Sequence, residues 1–166
     1  MPPKGWKGYK PNTKCISDKK RLKNIDSKMK GSIAESFIAA RLSELGFDVW
    51  IPYMNNHKSD MAICVGNRFI KIQAKSAGFD VVSDRFRVML TTKDKHKKHI
   101  KYEIDTQDFF IIKCEGLWEF YIVPSEIGIK HHSLNFYPHR NRLFCKGFDA
   151  EIYRNAFELI KKYNPW

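Results

Sequence analysis

No run of 18 apolar residues occurs in this 166-residue chain, and its start, Met1-Pro2-Pro3-Lys4-Gly5-Trp6, lacks the apolar core of a signal peptide. Neither a membrane span nor a secretory leader is expected, so the chain reads as soluble and intracellular, in cytoplasm or nucleoid, with no membrane partner. Cysteine is scarce. Cys15, Cys64, Cys114 and Cys145 lie roughly 30 to 50 residues apart, with no C-x-x-C pair and no zinc-site spacing. They read as reduced thiols, Cys64 and Cys114 as small hydrophobes inside apolar runs. Internal repeats and low-complexity tracts are missing, and 43% hydrophobic with 14% aromatic residues supports a packed core of one domain's length.

Acids are also few, 18 Asp plus Glu against 30 Lys plus Arg, a formal charge of +12. Such an excess attracts polyanions, nucleic acid before membrane surfaces. Most of it is N-terminal: residues 1–30 carry nine Lys and Arg21 against Asp18 and Asp26, a local +8. Residues 1–27, with Pro2, Pro3 and Pro11 and no period of 2 or 3.6, read as a basic arm, and residues 28–166 as a single domain.

From Ser27 to Gly46 the residues Ile33, Ala34, Phe37, Ile38, Leu42 and Leu45 share one side of a helical wheel, with Gly46 as the stop and Arg41 inside the apolar arc. Strands are expected over Phe47 to Tyr53, Asp60 to Val65, Arg68 to Ala77 and Phe86 to Thr92, then a lysine-rich loop from Lys93 to Lys101. A second hairpin, Phe109 to Cys114 and Glu119 to Pro124, turns at Glu115-Gly116, and Ala150 to Tyr163 reads as a closing amphipathic helix. The order describes a mixed α/β domain with helices on a central sheet.

Gly66-Asn67 is a two-residue hairpin turn with glycine first, which places Val65 opposite Arg68 and Asp60 opposite Gln73. Directly opposed residues share a face, as do residues two apart on a strand. Asp60, Gln73 and Lys75 then project together, with Lys71 further along, while Met61, Ile63, Ile70, Ile72 and Ala74 point into the core. An acid, a carboxamide and an amine at one sheet end suit metal-assisted phosphodiester cleavage, because Mg²⁺ prefers oxygen ligands. Asp60, the Gln73 side-chain oxygen and the Ala74 carbonyl are candidate ligands, and Lys75 a candidate to orient water or stabilise phosphate charge. Glu35, at the border of the helix's apolar face, is placed to reach the sheet edge. From spacing alone, catalysis and a merely half-exposed hairpin both remain open.

These residues resemble the PD-(D/E)XK nuclease superfamily, above all its small endonucleases encoded in group I introns and the related archaeal Holliday junction resolvases. Gly31-Ser32-Ile33-Ala34-Glu35 is similar to the helix bearing the outlying Glu, Ser59-Asp60 to the element bearing the Asp, and Gln73-Ala74-Lys75 to the (D/E)-X-K element. Weaker likeness continues through Asp108 to Ile112 and Tyr121 to Pro124. Ser59 stands where the signature has Pro, and Gln73 where it has Asp or Glu. The amide keeps an oxygen but removes a charge, which weakens metal affinity; in the intron-encoded branch Gln is the familiar form. The resemblance implies a restriction-endonuclease-like core, a central mixed β-sheet flanked by helices. It further implies a DNA endonuclease using Mg²⁺, with Mn²⁺ as substitute, in which Glu35, Asp60, Gln73 and Lys75 are catalytic and Glu35, Asp60, Gln73 and Ala74 bear on the metal.

Double-stranded DNA is the expected partner. Lys58, Lys71, Arg85, Arg87 and the loop lysines Lys93, Lys95, Lys97 and Lys98 are candidate phosphate contacts. Asn55, Asn56 and His57 are candidates for base edges. Trp6 and Tyr9 sit in the arm, which would follow a groove or contact another subunit. His131, His132, His139, Arg140 and Arg142 form a second basic patch. Cutting both strands with one site per chain calls for a homo-oligomer, a dimer or tetramer. The leading expectation is a site-specific homing endonuclease; a structure-selective junction resolvase, a restriction or repair nuclease, and a non-catalytic nucleic-acid-binding module with a decayed metal site are the alternatives.

Overall fold

In the computed structural model, residues 25–53, 57–93, 96, 98–138 and 149–163 are described. The arm's Trp6 and Tyr9, and also Cys15, Asn55, Asn56, Lys95, Lys97, His139, Arg140, Arg142 and Cys145, lie outside them. Helix α1, Ser27–Glu44, buries Ala34, Ile38 and Leu42 at a spacing of four, one stripe against the sheet. Gly46, at φ +82°, ends it: its N–H bonds Ser43 O at 2.9 Å while the Phe47 N–H bonds Leu42 O at 3.1 Å. Phe37 lies at the stripe's edge, 38% exposed and packed edge-on against Trp118. Arg41 is accounted for by its length: it reaches over the Phe157 ring and pairs with Glu44 at 3.0 Å.

Three strands follow: β1 (Asp48–Trp50), β2 (Met61–Val65) and β3 (Arg68–Asp80). β1 is shorter than expected because the Phe47 N–H is spent on the helix cap and Pro52 has none to give. The β2–β3 register is the expected one, Val65 opposite Arg68 through Met61 opposite Ile72, around Gly66 at φ +60°. β3 runs three residues past Ala77 because it gains further partners: β7 (Phe109–Cys114) in parallel over 72–77, then β4 (Arg85–Met89) over 78–80. β3 is thus the spine of a seven-stranded sheet, β1-β2-β3-β4-β9 with β9 at Ser133–Phe136, and β7 and β8 (Phe120–Pro124) branch from β3.

The strand expected from Phe86 to Thr92 is two. At Leu90 the N–H bonds His132 O at 2.9 Å, after which β5 (Thr91–Lys93) leaves the main sheet and pairs, among the described residues, with β6 (His99–Lys101). Part of the expected lysine-rich loop is therefore a hairpin arm. β9, Ser133–Phe136, and the short helix α2, Ser125–Gly128, carry patterns too brief to stand out in sequence. The closing helix is also broken: a 3-10 turn, Ala150–Tyr153, precedes α3, Glu158–Lys162. Between them Asn155 adopts φ +50°, its side-chain oxygen accepting the Phe120 N–H at 3.1 Å. Arg154 makes two bonds to Glu119. These contacts to the β8 end replace helix continuation and leave Ile152 64% exposed.

β7 and the apolar run of β8 are buried on both faces, as continuous apolar strands must be. One face packs Ile72, Ala74, Ile111 and Ile122 against Ile38, Leu42, Phe157 and Ile160 of the helical side. The other packs Phe110, Ile112, Tyr121 and Val123 against Phe86, Val88, Leu134 and Phe136. Cys114 is fully buried and Cys64 half-buried, both as free thiols. Among the described residues no helix is long and apolar enough to cross a membrane.

Candidate active site

The β2–β3 ladder stops at Met61 opposite Ile72, one step short of Asp60. The Asp60 N–H still bonds Ile72 O at 3.0 Å, but beyond it the carboxylate takes over from backbone: Asp60 Oδ2 accepts the Ala74 N–H at 2.8 Å and the Gln73 side-chain N–H. The expected opposition of Asp60 and Gln73 is thus a direct contact. Gln73 presents its amide nitrogen to the carboxylate, and a half-turn of the carboxamide would bring its oxygen to the same side.

Burial pushes the Asp60 carboxyl up to about 6, opposed by the Ala74 N–H, assisted by the negative charge of Glu35 and opposed by that of Lys75. Burial likewise lowers Lys75 below the ordinary lysine range, and the charges of Asp60 and Glu35 pull it back up. Glu35, exposed on α1, is therefore within electrostatic reach of both groups. Four of the expected residues, Asp60, Gln73, Ala74 and Lys75, gather at one end of the β2–β3 pair, and the charge of the fifth, Glu35 on α1, bears on Asp60 and Lys75.

The donors fit a hard divalent cation: one carboxylate, one carboxamide and a neighbouring backbone carbonyl, all oxygen. Among the described residues no three His, Cys, Asp or Glu side chains gather as a metal cluster. A cation here would draw its remaining oxygens from water and substrate, as Mg²⁺ commonly does.

The structure adds Tyr102, which the sequence reading missed. The Lys75 ammonium donates to the Tyr102 hydroxyl and lies 4.9 Å from the centre of its ring. Nothing in the spacing of the two residues signals this contact, because it is made by the fold of the β5–β6 hairpin.

The basic residues divide. Lys58 pairs with Glu103 at 2.8 Å, both exposed. Lys71 donates to Asp105 O at 2.6 Å. Arg85 lies 3.6 Å from Asp80, and Arg87 is exposed with Ser133 Oγ at 3.5 Å. Lys93 belongs to β5, while His57 and Lys98 are exposed.

Comparison with solved structures finds a bacterial homing endonuclease, I-Ssp6803I, at TM-score 0.74 and 22% identity, covering 83% of this chain and 95% of that one; the fold is shared. The crystal structure of MepB aligns at TM-score 0.41 and 16% identity, over 60% of this chain and 74% of that one. No curated protein matches the chain. The profile of the PD-(D/E)XK endonuclease family matches residues 25–142, a span that holds Glu35, Asp60, Gln73, Lys75 and both strands of the candidate site. The chain belongs to the PD-(D/E)XK endonuclease family and is a DNA endonuclease.

Proposed function

We propose that this endonuclease is divalent-metal-dependent and site-specific, a homing-type enzyme acting on double-stranded DNA as a symmetric homo-oligomer. The observation that carries the reading is the Asp60 carboxylate, held by the Ala74 N–H and Gln73 with Lys75 and Glu35 in electrostatic reach. Asp60, Gln73 and the Ala74 carbonyl would hold Mg²⁺ or Mn²⁺, with Glu35 assisting. Such a cation supplies Lewis-acid chemistry, drawing charge from a phosphate oxygen.

The chain's own groups do the rest. Asp60 works as the carboxylate, so a proton on it must leave first. Lys75, cationic, orients the attacking water and offers N–H groups to the phosphate oxygen on which charge builds. Glu35 adds negative charge that keeps Lys75 protonated against the effect of burial. Arg85, Arg87 and the lysines Lys93, Lys95, Lys97 and Lys98 hold flanking phosphates. Lys58 exchanges the exposed Glu103 for phosphate when DNA arrives. Lys71, already committed to Asp105 O, is the weakest of the proposed DNA contacts. Residues 1–27 act as a basic arm to a single nuclease domain.

The test is cleavage of supercoiled plasmids carrying candidate sites, with Mg²⁺. Wild type is expected to linearise a subset of them and Lys75→Ala to leave them intact; a Lys75→Ala protein that cuts as well as wild type sinks the assignment. A four-way junction cut far better than linear duplex would replace homing with junction resolution.

A further inference from the structure

A lysine's four-carbon stem loses more rotamer freedom on being fixed than almost any other side chain, so an ammonium meant to act at one point needs partners that hold it. The nearby acids alone would hold Lys75 in the wrong place. Drawn onto Asp60 as an ion pair, it would occupy the carboxylate proposed to take the metal. Among the described residues Lys75 forms no ion pair with either acid, although the charges of both bear on it. What holds it is Tyr102, by a hydrogen bond to the hydroxyl and by the ring face at 4.9 Å.

Tyr102 is itself fixed. Its ring meets the fully buried Phe110 edge-on at 5.2 Å. It directly follows β6, whose Lys101 pairs with Thr91, and the next residue, Glu103, bridges to Lys58. Residues 101–103 thus join the base of the β5–β6 hairpin to the site at two points. Burial pushes the phenol up to about 12, so at neutral pH it is an uncharged O–H that accepts from Lys75 without competing for the metal as an anion.

We infer that Tyr102 is a positioning residue for Lys75. Its hydroxyl and ring hold the ammonium beside Asp60 but off it, in register with the β5–β6 hairpin. The inference rests on the reading of Lys75 given under Proposed function, and it concerns an interaction present before DNA or metal binds.

Two variants and two measurements test it. Tyr102→Phe keeps the ring and its packing on Phe110 but removes the hydroxyl, whereas Tyr102→Leu removes both. The first measurement is the ¹⁵N relaxation of the Lys75 ammonium in the protein alone, assigned through Lys75→Arg. The second is single-turnover plasmid cleavage with Mg²⁺ at increasing enzyme concentration. In Tyr102→Phe the ammonium is expected to lose order and the saturating rate to fall about tenfold, the scale of one hydrogen bond to a charged group, with half-saturation unchanged. Tyr102→Leu is expected to fall further in both.

Unchanged order in Tyr102→Phe overturns the inference, as does lost order with an unchanged rate. A fall in half-saturation affinity at an unchanged maximal rate would make Tyr102 a DNA contact instead, and overturns it too. If wild type does not cut but Tyr102→Phe still loses ammonium order, the positioning contact stands and the endonuclease role of Lys75 fails.

Discussion

Lys75 and Lys113 lie on neighbouring parallel strands, β3 and β7, and share much of their physics. Burial lowers both below the ordinary lysine range, and each sits over an aromatic ring, Lys75 at 4.9 Å from Tyr102 and Lys113 at 4.5 Å from Phe37. Their surroundings differ. Lys113, 7% exposed, donates to the Cys114 carbonyl at 3.3 Å on the helical side of the sheet. Lys75 looks across the other face toward Asp60, Gln73 and, through charge, Glu35. A depressed lysine over a ring is thus an ordinary way to bury an amphipathic side chain. What separates the candidate site is the carboxylate held at the end of the β2–β3 ladder.

The comparison breaks most readily in cleavage. Lys75→Ala is expected to slow single-turnover cleavage about a thousandfold, the upper range for losing a group that stabilises charge in a transition state. Lys113→Met should cut within about twofold of wild type. If Lys113→Met were as inactive as Lys75→Ala while still folded, the distinction between the lysines would collapse.

Next in size is the stability carried by Asp60. Its folded pKa of about 6 lies above the ordinary 3.8, so the folded state binds the proton more tightly. Stability therefore falls as pH rises from 3.8 to 6, by about 3 kcal/mol in all, and the loss persists above pH 6. Asp60→Asn should accordingly make the metal-free protein more stable at pH 7 by up to that amount, the gain vanishing below about pH 4. Urea titrations at the two pH values check it; equal gains at both would mean that Asp60 is not the charged, buried group described.

A smaller effect belongs to Lys113. Replacing a buried, weakly paired charge by an apolar side chain of similar volume is neutral or stabilising, here by about 1 kcal/mol in the unfolding free energy of Lys113→Met, read from urea titration. A large destabilisation would show that its contact with Phe37 contributes more than the burial of its charge costs. Smallest is Arg87→Ala, expected to weaken DNA binding a few-fold and flatten the salt dependence by about one phosphate's contribution, with the saturating cleavage rate unchanged.

The β2–β3 hairpin was legible from residues alone because its determinants are local. Gly66 supplies the positive φ, and the alternation of Ile70 and Ile72 with Lys71 and Gln73 fixes which face is buried, so the meeting of Asp60 with Gln73 follows by counting. The same counting overran at Thr92 and at Arg154. There the outcome depends on distant partners: the His132 carbonyl that takes the Leu90 N–H, and the Glu119 and Phe120 groups that hold Arg154 and Asn155 out of a helix. Local pattern does not register a competitor so far along the chain.

The sequence by itself determined the helix at Ser27–Glu44, the hairpin register, the reduced thiols at Cys64 and Cys114, and the set Asp60, Gln73 and Lys75 on one face. Periodicity, turn chemistry and apolar content act within a few residues and so can be read along the chain. Tertiary structure alone decided that Glu35 comes within reach of Asp60, that Lys71 is committed to Asp105, and that the ammonium of Lys75 rests on Tyr102. Each is a meeting of side chains from separate elements, fixed by how sheet, helix and hairpin pack, and packing is a property of the whole chain.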